Sequence, residues 1–295
     1  FFIEDLSKIA EICTEHNVKA YLTVNTILYD HDIHLMQKIC DTAKASGITA
    51  IIASDHAAIH YCNKIQIPVH ISTQVNVSNI ETVEFFSKFA DVIVLARELT
   101  LTQIKDICTK IKERNIKGPS GELVKIEIFA HGALCVAIAG KCHMSLVTEN
   151  ASANRGACIQ NCRRTYRVID EEDGHELVIE NKYVMSPKDL CTIEFIDQIL
   201  NAGVTVLKIE GRARAAEYVH IVTHCYREAV DAYQQGSYSP DKIKSWIAQL
   251  ETVYNRGFWH GGYYLGKEMD MWSGVSGSIA KQEKKKAETE ISLQM

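Results

Sequence analysis

Proline is scarce, four in 295 residues, and no Pro/Gly/Ser-rich stretch interrupts the chain before its C-terminal end. The sequence therefore offers no linker at which to divide it. No run of roughly 18 apolar residues occurs, the length a membrane span needs. The first twenty residues alternate charged and apolar side chains rather than forming the apolar core of a signal peptide, and the expectation is a cytoplasmic protein with no membrane partner. A net charge of −5 excludes a surface coated all over with nucleic acid, although a local basic patch is compatible with it. The catalytic fingerprints HExxH, GxSxG, Walker A and GxGxxG are absent. Ser145 stands near His131 and His143 in sequence, but nothing orders them as nucleophile, base and orienter.

What is present is a repeated unit, a short β-branched run followed by an amphipathic stretch of helix length. The runs are residues 19–25 (KAYLTVN), 49–54, 69–73, 91–96, 125–130 (KIEIFA) and, further on, 204–209 (VTVLKI). Apolar residues at three- and four-residue steps predict helices between them, over 33–46 and 80–89 for example, and a long helix over 215–235. This alternation implies an α/β fold with a parallel sheet. Polar residues gather where the runs end: Asn25, Asp55, Thr73 with Gln74, Arg97 with Glu98, His131, and Glu210 with Arg212. Six such ends in register suggest the mouth of a TIM-type (β/α)8 barrel. Six strands are two short of closure, so either the sheet is open or the first two strands are missing from this chain; the second reading is preferred. On this view residues 1–267 form the barrel, with a cysteine-rich insertion over 132–192 before its last strand. Residues 268–295 are the truncated start of a small β domain.

The ten cysteines are too few for a disulfide scaffold of this size. Cys13, Cys40, Cys62, Cys108 and Cys225 stand alone in helical sequence and read as small buried hydrophobes. Cys135, Cys142, Cys158, Cys162 and Cys191 crowd into the insertion. Cys135 and Cys142 lie seven apart and Cys158 and Cys162 four apart, which would put each pair on one side of a helix. Two thiol pairs suit a tetrahedral ion or a cubane cluster. Zinc sites use C-x2-4-C at both pairs, so the wide first spacing modestly favours iron–sulfur. Arg155, Arg163, Arg164 and Arg167 follow with no acidic residue among them, either as a solvated turn or as a clamp for phosphate or carboxylate. The acidic segment 170–175 reads as an exposed hairpin turn.

The segments EIFAHGALCVAIAGKCHMS, NRGACIQNCRRTY, MSPKDLC and VLKIEGRARAAEYV, with YLTVNT, HISTQVN and VLARELT before them, resemble in that order the signature blocks of the collagenase-like peptidase family U32. The resemblance spans roughly residues 2 to 265. It implies an oxygen-independent hydroxylase that holds a [4Fe–4S] cluster. Among its branches the C-x3-C-R-R-T-Y and SPKDLC forms look most like the enzymes that hydroxylate the tRNA wobble uridine at C5 with prephenate as oxygen donor; other branches act on ribosomal RNA or a ubiquinone precursor. Carried over, the cluster ligands are Cys135, Cys142, Cys158 and Cys162, with Cys191 in reserve. His131, Glu210 and Arg212 become catalytic candidates, and Arg97, Arg155, Arg163, Arg164 and Arg212 candidates for binding tRNA or the anionic donor. A family start reading like LLAPAG, with a second strand after it, is absent. A peptidase and a non-catalytic iron–sulfur RNA-binding scaffold are the competing readings.

Overall fold

The structure, a computed structural model, describes residues 2–177, 183–259 and 262–266. The expected segment 268–295 lies outside the described residues. In chain order the elements begin α1 (Asp5–Glu15), β1 (Tyr21–Val24), α2 (Ile33–Ala45), β2 (Ala50–Ala53), α3 (His56–Lys64) and β3 (Val69–Ile71). They continue with α4 (Ile80–Ser87), β4 (Val92–Val94), α5 (Leu101–Glu113) and β5 (Lys125–Ala133). The insertion contributes α6 (Met144–Glu149), β6 (Val168–Ile169), β7 (Glu176–Leu177) and β8 (Asp189–Cys191), and α7 (Ile196–Asn201) comes after it. Then follow β9 (Val206–Glu210), α8 (Ala216–Gln234), α9 (Pro240–Glu251), β10 (Phe258–Trp259) and α10 (Gly262–Leu265).

All six expected strands are present and pair in parallel in the order β1, β2, β3, β4, β5, β9. Their isoleucines Ile51, Ile71, Ile93, Ile126 and Ile128 are fully or almost fully buried against the helices. Helix ends explain how the units repeat. Asn17, Gly47, Gln66 and Asn115 each leave a helix with positive φ. The next residue then returns its N–H to the last turn: Val18 to Cys13, Ile48 to Ala43, Ile67 to Cys62 and Ile116 to Ile111. This six-to-one closure satisfies orphan carbonyls, and at Ile48, Ile67 and Ile116, though not at the exposed Val18, it drops an apolar side chain onto the core just before the next strand or strand-bound loop. Starts are capped by Asp55, Asn79 and the Thr100–Gln103 capping box.

The barrel expectation is met in part. Among the described residues no pairing joins β1 to β9, so the fold is an α/β parallel sheet whose closure is not seen. Two strands went unrecognised in the sequence: β8 pairs antiparallel with the end of β5, and β10 pairs parallel with β8. Residues 170–175 do form the exposed turn of the β6–β7 hairpin. No helix among the described residues is long and apolar enough to cross a membrane.

Candidate metal centre and its surroundings

The loops that carry the cysteines are irregular. Residues 134–143 follow bends and a turn, with Gly140 at φ +73°, and between Cys158 and Cys162 the chain passes Gln160 at φ +55° into a single 3-10 turn. The helical faces expected for the two pairs therefore do not form; glycine and a left-handed residue break both stretches. What fixes the loops is contact with the turns after the parallel strands. Asn76 donates to the Ala139 carbonyl at 3.1 Å and Arg97 to the Ala137 carbonyl at 3.3 Å, tying the first loop to the ends of β3 and β4. Ile27 donates to the Asn154 carbonyl at 3.2 Å, tying the second to the end of β1. The two loops are joined through α6, where buried Ser145 accepts from the Ile159 N–H at 3.1 Å and Asn161 donates to Met144 and Thr148. The insertion thus lies across the C-terminal ends of the sheet strands, the face on which (β/α) proteins place their chemistry.

Cys135 and Cys158 are exposed, and Cys142 and Cys162 half-buried. Burial raises the Cys162 thiol most strongly, Arg163 opposes, and the other three thiols of the quartet, Cys135, Cys158 and Cys142, raise it further. All four thiols therefore share one electrostatic neighbourhood. Among the described residues no group of three or more His, Cys, Asp or Glu side chains is arranged to hold a single ion. A cubane spreads its thiolate ligands over the corners of a cube, wider than the shell of one ion. By donor type and number the quartet fits such a cluster. Cys191 stands apart: it is fully buried in β8 beside the Tyr226 hydroxyl at 3.9 Å, and its thiol is pushed up to about 12, chiefly by burial.

The arginines divide sharply. Arg163, expected to face an anion, is buried and donates to the Leu134 and Pro187 carbonyls at 2.6 and 2.5 Å and to the Ser186 hydroxyl at 2.9 Å. It pins the strand-to-loop exit before Cys135 against residues 186–187, and its guanidinium has no room for an external ligand. Arg155 is likewise engaged, with the Asp32 carboxylate at 2.7 Å, the Ile27 carbonyl at 3.0 Å and the Tyr29 ring 4.0 Å from its Cζ. That pairing holds the Asp32 carboxyl at about 2, the side-chain hydrogen bond from Arg155 being the largest cause. Both positions work as struts because the backbone carbonyls at these loop ends need donors. Arg164 and Arg212 are exposed. Arg97 is half-buried, with its Cζ 5.6 Å from the Phe129 ring.

His131, a catalytic candidate, is buried among the rings of Tyr218, Tyr226 and Phe258, with Nδ1 3.3 Å from the Tyr226 hydroxyl. Desolvation lowers it to about 4, so at neutral pH it is uncharged and enclosed. Glu210 accepts from the Arg212 N–H at 2.8 Å, which closes the turn after β9. This turn sits against Gly132, where an added Cβ would meet the Glu210 carbonyl oxygen at 2.5 Å at φ +113°. Only glycine permits that approach, and it brings Glu210 and Arg212 beside the start of the cysteine loop.

Sequence reasoning missed one cluster. Asp189, fully buried, accepts from Arg214 at 2.6 Å and from Arg256 at 2.9 Å, while the Arg214 guanidinium lies 4.8 and 4.4 Å from the rings of Tyr218 and Tyr254. The signal was available, since Asp189 lies in MSPKDLC and Arg214 in EGRAR, but nothing in the sequence ties them to each other or to Arg256.

The family model described as Peptidase family U32 matches residues 1–273. Collagenase of Porphyromonas gingivalis (strain ATCC BAA-308 / W83) is 56% identical over 284 residues, covering 96% of this chain and 68% of that protein. The tRNA hydroxylation protein P1 of Bacillus subtilis (strain 168) is 30% identical over 263 residues, 87% of this chain and 60% of that protein. The 23S rRNA 5-hydroxycytidine C2501 synthase of Escherichia coli (strain K12) is 33% identical over 234 residues, 78% of this chain and 33% of that protein. No solved structure matches the chain.

Proposed function

The chain belongs to peptidase family U32, and from that premise we propose that it is an oxygen-independent RNA hydroxylase. In this reading Cys135, Cys142, Cys158 and Cys162 hold a [4Fe–4S] cluster, the target is a tRNA wobble uridine, and prephenate donates the oxygen. The observation that supports it most is the quartet of thiols on loops fastened to the turns after β1, β3 and β4. The names of the Bacillus subtilis and Escherichia coli relatives supply the substrate class. A bound cluster supplies one-electron chemistry.

The protein's own groups have distinct tasks. Arg164, two residues after Cys162, and Arg212, in the turn after β9, are exposed and offer paired N–H donors to RNA phosphate or donor carboxylate. Arg163 and Arg155 hold the loops in position rather than touching substrate. The enclosed, uncharged His131 acts through its contacts with Tyr226 and the end of β5. The peptidase reading rests on the name of the Porphyromonas relative. Its obvious nucleophile fails on geometry, because Ser145 Oγ is buried and taken by the Ile159 N–H, and His131 is spent on Tyr226.

Nucleoside analysis of tRNA from a deletion strain tests the proposal. Loss of 5-hydroxyuridine is expected, restored by the wild-type gene and not by Cys158→Ser. Unchanged 5-hydroxyuridine in the deletion strain would overturn the tRNA assignment. Arg164→Ala should weaken RNA binding in a salt-dependent way.

A further inference from the structure

Two neighbouring cavities share Arg97, Leu134 and Tyr263 as lining. The outer one is also bounded by Glu98, Cys135 and the segment Val136, Ala137 and Ile138. Arg97 and Glu98 are adjacent residues of opposite sign at the end of β4, so the cavity carries a strong donor and a strong acceptor but little net charge. Its wall is apolar, with Ile138 left 52% exposed. Tyr263 presents a half-buried ring braced edge-on by Trp259 at 5.5 Å between centroids. Burial raises the Tyr263 hydroxyl, Glu98 adds to that and Arg97 opposes it, and both charged residues line the same cavity as the ring. The exposed Cys135 thiol stands at the rim.

We propose that this cavity receives a pyrimidine base extruded from RNA, with Tyr263 as its stacking face and the Arg97–Glu98 pair reading its polar edge. The inference rests on the RNA-hydroxylase reading and adds which residues recognise the target. A phosphate or a dicarboxylate would be repelled by Glu98, whereas a neutral ring with donors and acceptors on one edge matches a neutral pair. Uracil presents an N3–H between two carbonyl oxygens. The Glu98 carboxylate accepts from N3–H and the Arg97 guanidinium donates to a flanking oxygen. Cytosine offers a lone pair at N3, which the Glu98 carboxylate disfavours. The edge opposite N3 carries C5 and C6, and reading the N3 side leaves that edge free to face the cysteine loop. Enzymes acting on a base inside folded RNA or DNA take it out of its stack in this manner.

Binding of fluorescent hairpin RNAs to the cluster-loaded full chain tests the assignment. The probes are one hairpin with a single unpaired uridine in its loop and two copies with cytidine or an abasic residue there. The wild type should bind the uridine probe about tenfold or more tighter than the abasic one, the range expected for one stacked base. Tyr263→Ala should erase that difference, Tyr263→Phe should keep it, and Glu98→Gln should narrow the preference for uridine over cytidine. Equal wild-type affinity for uridine and abasic probes overturns the proposal, as does a Tyr263→Ala effect of equal size on both. If the wild type discriminates and the variants do too, the pocket is wrong while the RNA reading stands; if no probe binds, both fall.

Discussion

Asp189→Asn is the most informative single change, because it alters charge without altering shape at a fully enclosed point. The side chains of Arg214 and Arg256 are each about 1% exposed, and Asp189 is the carboxylate that receives both, at 2.6 and 2.9 Å. An asparagine can accept from one guanidinium, but its own N–H2 then faces the other. Removing one partner of a buried ion pair costs about 3–5 kcal/mol. With each kcal/mol worth roughly 2–4 °C in a domain of this class, Tm should fall by roughly 6–20 °C. The damage should also reach the cysteines. Asp189 follows closely on Ser186 and Pro187, which hold Arg163, which in turn holds Leu134 next to Cys135. Urea titration and thermal melts under reducing anaerobic conditions measure the loss, and visible absorbance of the reconstituted protein measures metal retention. A companion variant, Asp189→Leu with Arg214→Met and Arg256→Met, should be much closer to wild type, since replacing the whole ionic group removes the unpaired charge. A cost below about 1 kcal/mol for Asp189→Asn would refute the argument, because it would mean that solvent or another anion already screens the two arginines.

Titration of His131 gives a second test: its folded value of about 4 lies below its ordinary 6.5, so the unfolded chain takes up the proton first. Its contribution is complete above 6.5 and is lost as pH falls through 4, an effect of about 3 kcal/mol, and His131→Phe should flatten the urea midpoint across that window. For the cysteines, serine at 135, 142, 158 or 162 should each abolish the broad visible absorbance of the reconstituted protein, while Cys191→Ser should keep it; loss of colour in Cys191→Ser would return that residue to the ligand set.

The repeating strand and helix units were legible because β-branched runs and helical periodicity are local signals; five of the six expected strands are trimmed by one or two residues at an end, and β5 runs three residues further than expected. Cys40, Cys62, Cys108 and Cys225 are buried as read, with Cys13 half-buried. The strands β8 and β10 were not legible, since three- and two-residue segments carry no periodicity and exist only through their partners. The cysteine quartet could be found by spacing and resemblance, but its mode of presentation could not, because Gly140 and Gln160 break the helices that the spacing suggested. Asp189 illustrates the limit most clearly: its partners lie 25 and 67 residues away, and no local pattern announces them.

Arg163 and Arg164 are chemically identical neighbours in the sequence, yet one is enclosed and the other free, and the reason bears on the metal site. Arg163 meets only neutral acceptors, two carbonyls and a hydroxyl, and among the described residues no carboxylate lies within salt-bridge distance of it. Hydrogen bonds to neutral groups satisfy its N–H donors without neutralising its charge; burial and the like charge of Arg256 disfavour the guanidinium, while Cys162 and the Asp189 carboxylate, which Arg214 and Arg256 already share, act the other way. A buried guanidinium in that position costs several kcal/mol unless an anion stands close. Cys162 is covalently next to it, and Cys162 is within the electrostatic reach of three further thiols. In the proposed cluster, metal-bound thiolates would carry the negative charge that faces Arg163, and Arg163 would help the four thiolates to stay deprotonated. On that proposal the burial of Arg163 and the gathering of the cysteines would form one electrostatic arrangement, with Asp189 as a second, shared source of negative charge.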